Sequence, residues 1–434
     1  MPPGWRLRGQ GDRQNHPRTR KTAGPGLVPE SDMTPFEQAV EAKGHLIDSG
    51  IMSQILDRII EHKCSFKIEK FEVGKTNVDE SVARIKIQSP DQESLRELLD
   101  LLVPLGCYLA REEDARLAPA QGTGRVPDDF YSTTNFRTFV RLDGEWTLAA
   151  DQRMDAVIRV NSDGPRCVKL RDIRQGDLVV CGHAGIKVVR EYKDRERKDF
   201  TFMASEISSE RRVEVAVRQL AEMLRHTHKA GGKIVVVAGP VVVHTGGVEG
   251  LARMIEAGYV QAFLGGNAVA IHDIEYALYK TSLGVHLETG MPAHEGHRNH
   301  MRAINLINNF GGIEPAVAAG SLQSGIMYQL IRNRIPFALA GSIRDDGPLP
   351  ETICDMIEAQ ARYAELLRDA ELVMILGTML HGIGAGNMIP SWVRTICIDI
   401  NPAVVTKLSD RGSAQTVGIV TDVGTFLHLL KDQL

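Results

Sequence analysis

At 434 residues with a formal net charge of −4, the chain is long enough for two or three separate cores and carries no basic field for nucleic acid or an anionic membrane. Its six cysteines are scattered without C-x-x-C spacing, which argues against a zinc ribbon or disulfide framework and fits reduced thiols in a cytoplasm. No apolar run approaches the roughly 18 to 20 residues of a membrane span, so the expected partner is a small molecule, with no nucleic acid and no membrane.

Residues 1–32 are rich in Gly, Pro, Arg and Gln without apolar periodicity. They read as a disordered extension or a mis-assigned start, with Met33 the initiator. Met52, Ile55, Leu56, Ile59 and Ile60 then fall at helical spacing and open a small α+β module, ferredoxin-like in form, over residues 33–111. Phe66 to Val73 and Ala83 to Ile87 alternate as strands. Ser89-Pro90-Asp91-Gln92 offers an N-cap serine, a proline at the first helical position and a capping-box glutamine. The helix it starts carries Leu95, Leu98, Leu99 and Leu102, and Cys107 to Ala110 is the next strand, which makes a βαβ unit.

Residues 112–200 form a β-rich segment. Arg137 to Leu142, an Asp143-Gly144 turn and Glu145 to Ala149 predict a hairpin. Short strands follow at Ala156 to Val160, Val168 to Leu170, Leu178 to Cys181 and Ile186 to Val189. A long helix from about Glu206 to His228 ends at Gly231-Gly232, and strands and helices alternate over the remainder of a 201–434 α/β domain. Strands are predicted at Lys233 to Ala238, Gln261 to Leu264, Phe337 to Ala340, Leu372 to Leu376, Thr395 to Asp399 and Val417 to Val420. Their ends carry Gly239-Pro240, Gly265-Gly266-Asn267, Gly341 to Gly347, Gly377-Thr378, Asp399-Ile400-Asn401 and Thr421-Asp422-Val423. Turns of this kind, converging on one edge of a Rossmann-like parallel sheet, point to a nucleotide site. The stretch after Leu376 reads as a glycine-rich turn, with Asp399 about 20 residues on, where a ribose hydroxyl is held. By itself Gly382-Ile383-Gly384-Ala385-Gly386 stays open between a phosphate loop and a connection without a ligand.

For the chemistry, Asp345 and Asp346 sit after a strand end, where adjacent carboxylates raise one pKa toward the range of proton transfer; a turn or helix cap before Pro348 is the other reading of Asp346. Glu288 stands near His286, and His294, His297 and His300 follow. Read as one helix, those three histidines spread over about 120°, and no H-E-x-x-H is present, so no metal is expected and the imidazoles line a polar cleft or face solvent. Arg298, Arg302 and Arg344 could clamp a carboxylate. Lys280 is open between a Schiff-base partner and a surface lysine.

From Met33 to Leu434 the chain resembles the archaeal-type ornithine cyclodeaminases, the conserved region of the lysine-ketoglutarate reductase/saccharopine dehydrogenase bifunctional enzymes. The resemblance rests on His45 to Leu56, Phe71-Glu72-Val73-Gly74, Val126 to Asn135, Gly265 to Ala268 and Gly377 to His381. The C-terminal domain is also similar to the NAD-binding fold of deoxyhypusine synthase and sirtuins. The resemblance implies conversion of L-ornithine to L-proline and ammonia by a homo-oligomer holding NAD. It implies NAD contacts from Asn267, Ala268, Asp345, Thr378, Met379, Leu380, His381, Asp399, Asp422 and Val423. Because fold alone does not fix function, an NAD-consuming transferase and a non-enzymatic amino-acid or NAD sensor stand as alternatives.

Overall fold

The computed structural model describes residues 36–47, 49–75, 79–110, 113–190, 213–345, 347–411 and 416–434. The expectations for residues 1–32, for the beginning of the long helix before Val213 and for Asp346 lie outside them.

Strands β1 (Phe36–Gly44), β2 (Ser65–Glu72), β3 (Ser81–Ser89) and β4 (Cys107–Leu109) form an antiparallel sheet in the order β2-β3-β1-β4. Every second residue of β3 is buried. Its Ala83, Ile85 and Ile87 pack with Val40 and Ala42 of β1 under helices α1 (Ile51–Glu61) and α2 (Gln92–Leu102). This is the split βαβ arrangement. The predicted βαβ unit is there, with β1, which the sequence reading passed over, between its two parallel strands. Asp91 rather than Ser89 caps α2. Its carboxylate accepts from the Ser94 N–H at 2.7 Å, whereas the Ser89 hydroxyl donates to the Asp91 carbonyl, so the helix starts two residues later than the Ser-Pro pattern implied.

The β-rich segment makes two small sheets from β5 (Arg116–Pro119), β6 (Arg137–Leu142), β7 (Glu145–Leu148), β8 (Val157–Asn161), β9 (Gly164–Val168), β10 (Leu178–Cys181) and β11 (Ile186–Val189), ordered β5-β10-β8-β9 and β11-β6-β7. The strand expected at Val168 to Leu170 is displaced. Asn161 pairs directly with Gly164 across a tight turn, so β9 starts early and Leu170–Asp172 becomes a 3-10 turn.

Beyond α3 (Val213–Lys229) lies a seven-stranded parallel sheet. Its strands are β12 (Lys233–Ala238), β13 (Ala262–Gly266), β16 (Phe337–Ala340), β17 (Thr352–Ile353), β18 (Ala370–Leu376), β19 (Arg394–Asp399) and β20 (Thr416–Val420); a hairpin of β14 (Thr281–Ser282) and β15 (Val285–His286) stands apart. Both faces are covered, which is why the strands read as unbroken apolar runs. Ile234 and Val236 of β12 enter one core, Val235 and Val237 the other. The connecting helices are α4 (Val241–His244), α5 (Val248–Glu256), α6 (Asn267–Tyr279), α7 (Asn299–Phe310), α8 (Ile313–Ala318), α9 (Ile326–Arg332), α10 (Met356–Leu367), α11 (Leu380–Gly386), α12 (Pro402–Arg411) and α13 (Val423–Lys431). The glycine-rich stretch read as a turn is therefore mostly the helix α11. Its glycines serve packing: a Cβ on Gly382 would lie 2.9 Å from Ile375 and 3.3 Å from Leu408.

The sheet order β17-β16-β13-β12-β18-β19-β20 reverses direction between β12 and β18. A crevice outside the carboxyl ends of those two strands is where such sheets take ligands. The β-rich segment is tied to the C-terminal end of α11 by Asn135. Its buried Nδ2 donates to the Gly386 and Ile389 carbonyls at 3.1 and 2.9 Å, and its carbonyl accepts from the Ser391 N–H.

Candidate active site

The edge is built on close backbone approach. Gly377 has φ +56°, and a Cβ there would meet Val241 at 2.9 Å; a Cβ on Gly239 would run into the Gly377 carbonyl and lie 3.0 Å from the Thr378 Cβ. The β12 and β18 turns thus lie against each other. On the far side of β12, the His381 imidazole faces Gly266, whose missing Cβ would sit 2.7 Å from Nε2. Tyr363 donates its hydroxyl to the Gly265 carbonyl at 2.7 Å and stands 3.0 Å from His381 Nδ1. With that proton directed at Gly265, Nδ1–H of His381 donates to the phenol and Nε2 is left bare. Burial lowers the His381 pKa, against an opposing pull from Asp345. Tyr363 is itself pushed above its usual range by burial.

Ile343, Met379, Leu380 and Ile400 stand exposed along the same edge, although Leu380 is 74 % and Ile343 fully exposed while Thr378 between them is 8 %. Asp399, half-buried, accepts the Asn401 N–H on one oxygen. Asp422 caps α13 by accepting from Thr425, and Val423 is buried beneath Gly377. Asn267, 2 % exposed, accepts from the Leu349 N–H at 3.1 Å and the Thr352 hydroxyl at 2.9 Å, so the β13 and β16 turns are joined. Asp345 locks its own turn by accepting from the Ser342 N–H (2.7 Å) and hydroxyl (3.3 Å).

One to about two helical turns beyond this edge lies a polar cluster. His244 is four residues past Pro240 and His272 five past Asn267, roughly 6 to 8 Å at 1.5 Å per residue. On α6, a helix buried nearly all round, His272, Asp273 and Glu275 interrupt the apolar run. Asp273 caps α9, accepting from Ile326 and Met327 N–H at 2.8 Å each, and burial raises its pKa to about 7 against those two bonds. Glu275, fully buried, accepts from the Thr281 hydroxyl (2.9 Å), Gly284 N–H (2.9 Å) and Leu283 N–H (3.2 Å). The Nδ1 atoms of His272 and His300 face its Oε2 at 3.4 and 3.7 Å. Burial pushes Glu275 upward, but those nitrogens with Gly284 and Thr281 outweigh it and hold the carboxyl well below its usual range. His244 lies edge-on to His272, with ring centroids 4.7 Å apart, and shares a 2.6 Å hydrogen bond with the Ser282 hydroxyl.

Three family models tile the chain: the LOR/SDH bifunctional enzyme conserved region over residues 37–136, and the arginine dihydrolase ArgZ-like C-terminal first region and Rossmann fold over 137–217 and 218–430. A Methanopyrus kandleri ornithine cyclodeaminase is 49 % identical over 405 residues, covering 93 % of this chain and 98 % of the relative. The chain belongs to the archaeal ornithine cyclodeaminase family. A Synechocystis sp. relative, the bifunctional arginine dihydrolase/ornithine cyclodeaminase ArgZ, is 47 % identical over 92 % of this chain, and this chain spans 58 % of that longer protein. Among solved structures, apo ArgZ matches with a TM-score of 0.81 at 42 % identity over 94 % of this chain and 60 % of its own. The ternary complex of AgrE with ornithine and NAD+ matches with a TM-score of 0.51 at 47 % identity, covering 92 % and 57 %.

Within this ornithine cyclodeaminase fold the ten residues expected to contact a nucleotide all fall at the carboxyl ends of β13, β16, β18, β19 and β20 or on the first turns beyond them. The other candidates scatter. Glu288, His294 and His297 are exposed, and the histidines do not share one helix, since α7 begins at Asn299. Of the three only His300 turns toward the cluster. Arg298 and Arg302 both pair with Glu295, at 3.2 and 3.5 Å; Arg344 is exposed; Lys280 lies over the Tyr276 ring. His244, His272 and Glu275 were missed. The signal for the last two is a histidine and a glutamate set inside an otherwise apolar helix, because such groups are buried only with partners.

Proposed function

We propose that this chain converts L-ornithine to L-proline and ammonia with NAD held across the carboxyl edge of its seven-stranded sheet. The observation that carries the reading is the convergence of Asn267, Asp345, Thr378 to His381 and Asp399 on the β12/β18 reversal, in a chain matching archaeal ornithine cyclodeaminases over nearly their whole length. The residues fit a dinucleotide. Glycine turns let backbone N–H groups approach phosphate, exposed apolar side chains flank the crevice, and Asp399 keeps one oxygen for a ribose hydroxyl. Carboxylates at Asp399 and Asp422 favour NAD over NADP, whose 2′-phosphate they would repel.

Held there, NAD would supply a hydride acceptor for ornithine Cα and a hydride donor for the cyclic imine formed from it, since ornithine and proline plus ammonia stand at the same oxidation level. The chain's task is to keep the imine in place and dry. The Asn267 bridge to Leu349 and Thr352 closes the two turns that would flank it. Asp345, whose charge acts on His381, is the proposed proton-transfer group; Glu288 and Asp346 are kept as further candidates. We assign the sheet to the deoxyhypusine synthase and sirtuin type, because Gly239-Pro240 after β12 is not the dinucleotide fingerprint that a Rossmann sheet carries after that first strand. Assembly as a homo-oligomer and a cytoplasmic setting belong to the same reading; among the described residues no helix is long and apolar enough to cross a membrane.

The test is incubation with Cα-deuterated ornithine and NAD. Proline that keeps deuterium at Cα, with ammonium released and no build-up of reduced nicotinamide, is the expected result. Deuterium lost to water with NAD oxidised throughout would replace hydride transfer by proton abstraction. Free nicotinamide would hand the site to a transferase, and binding without turnover to a sensor.

A further inference from the structure

In the cluster on α6 the imidazole nitrogens stand further from the Glu275 carboxylate than close charge-assisted hydrogen bonds would hold them. An ionised carboxylate and an imidazole N–H that truly bond approach to about 2.7 to 2.9 Å. Oε2 of Glu275 instead stands 3.4 Å from His272 Nδ1 and 3.7 Å from His300 Nδ1, and the three residues each offer one ligand atom within 4.8 Å of the other two. His300 Nδ1 is buried without a hydrogen-bond partner. Two bonds of about 2.1 Å meeting at a tetrahedral angle span about 3.4 Å, the edge of a four-coordinate metal site with nitrogen and oxygen ligands. We propose that His272, Glu275 and His300 bind a divalent cation of the zinc class.

Two further features support this assignment. Metal-ligating carboxylates are oriented by hydrogen bonds on their other lone pairs. Glu275 Oε1 accepts from Thr281 and Gly284, and Asn299 donates to the Thr281 hydroxyl at 3.0 Å, fixing that partner in turn. The donor set of two imidazoles and one carboxylate suits zinc-class ions, and with three protein ligands it leaves one position for water or a substrate atom. The spacing that made a metal unexpected in the sequence concerned His294, His297 and His300; the cation site uses only the last of these, with two ligands contributed from α6. It would tie α6 to the start of α7 and the β14/β15 hairpin.

The assignment does not rest on the ornithine reading, and its test does not use turnover. The full-length chain is stripped with a chelator, reloaded separately with Zn2+ and Co2+, dialysed and measured for metal content and for the visible bands of low-symmetry Co2+. About one equivalent per chain is expected, with Co2+ bands lost on adding Zn2+. His300→Ala, at a side chain 33 % exposed, should weaken metal binding by at least ~10-fold with unchanged circular dichroism, while the exposed His294→Ala keeps full loading. No stoichiometric metal in the wild-type chain would overturn the proposal. So would full loading of both His300→Ala and Glu275→Gln, which would place the ion elsewhere. Should either variant fail to fold, wild-type stoichiometry and the Co2+ spectrum, with its imidazole and carboxylate signature, decide.

Discussion

Asp399 accepts one turn hydrogen bond and presents its remaining oxygen at the end of β19. Asp399→Ala should therefore weaken NAD binding by about 1.5 to 3 kcal/mol, the worth of a hydrogen bond to a charged acceptor, in a direct titration; equal affinity would show that the carboxylate faces elsewhere. Asp345→Asn keeps an acceptor for Ser342 but removes the charge felt by His381. Turnover should fall by roughly 10² to 10⁴ with NAD affinity little changed, and a parallel loss of affinity would make Asp345 a binding group only. His381 gives a pH test. Its pKa is lowered in the folded chain from the 6.5 of an unperturbed histidine, so below about 6.5 the unfolded chain binds the extra proton and stability falls with pH, while above it the contribution is complete. His381→Asn should flatten that part of the pH dependence of the urea midpoint. The acids and glycines at the strand ends were legible because strand boundaries could be read from buried apolar runs. His272 and Glu275 were not, since nothing in local periodicity says which residues far along the chain, such as His300, will come to face them.

At the level of elements, all six long strands of the parallel sheet could be read within a residue or two, because a strand buried on both faces leaves a continuous apolar signature. Helix α11 could not. Three glycines in seven residues look like a turn by propensity, and tertiary packing against Ile375 and Leu408 overrides it. The same helix supplies a paired test. Gly382→Val should destabilise by about 1 to 3 kcal/mol through overpacking. Gly384, where a Cβ meets nothing within 4 Å, should gain up to about 1 kcal/mol on mutation to Ala from the helix propensity of alanine. Urea midpoints moving in the same direction for both would contradict this account of the glycines.

Across the whole molecule, the three regions matched by separate family models fold as one unit from Phe36 to Leu434. The β1 strand of the first region was unread because it lies beside residues without periodic signals, yet it completes that region's sheet. Asn135 joins the β-rich segment to the end of α11 beside Met154, whose N–H donates to the Asn387 carbonyl, and Asn135→Ala should cost about 1 to 3 kcal/mol by removing its donor from the Gly386 and Ile389 carbonyls. Because the residues proposed to hold the cofactor sit at the other end of α11, ordering them should also slow opening at Asn135. Amide hydrogen exchange at Ser391, whose N–H is bonded to the Asn135 carbonyl, would then report cofactor occupancy from a backbone position that never touches the nucleotide.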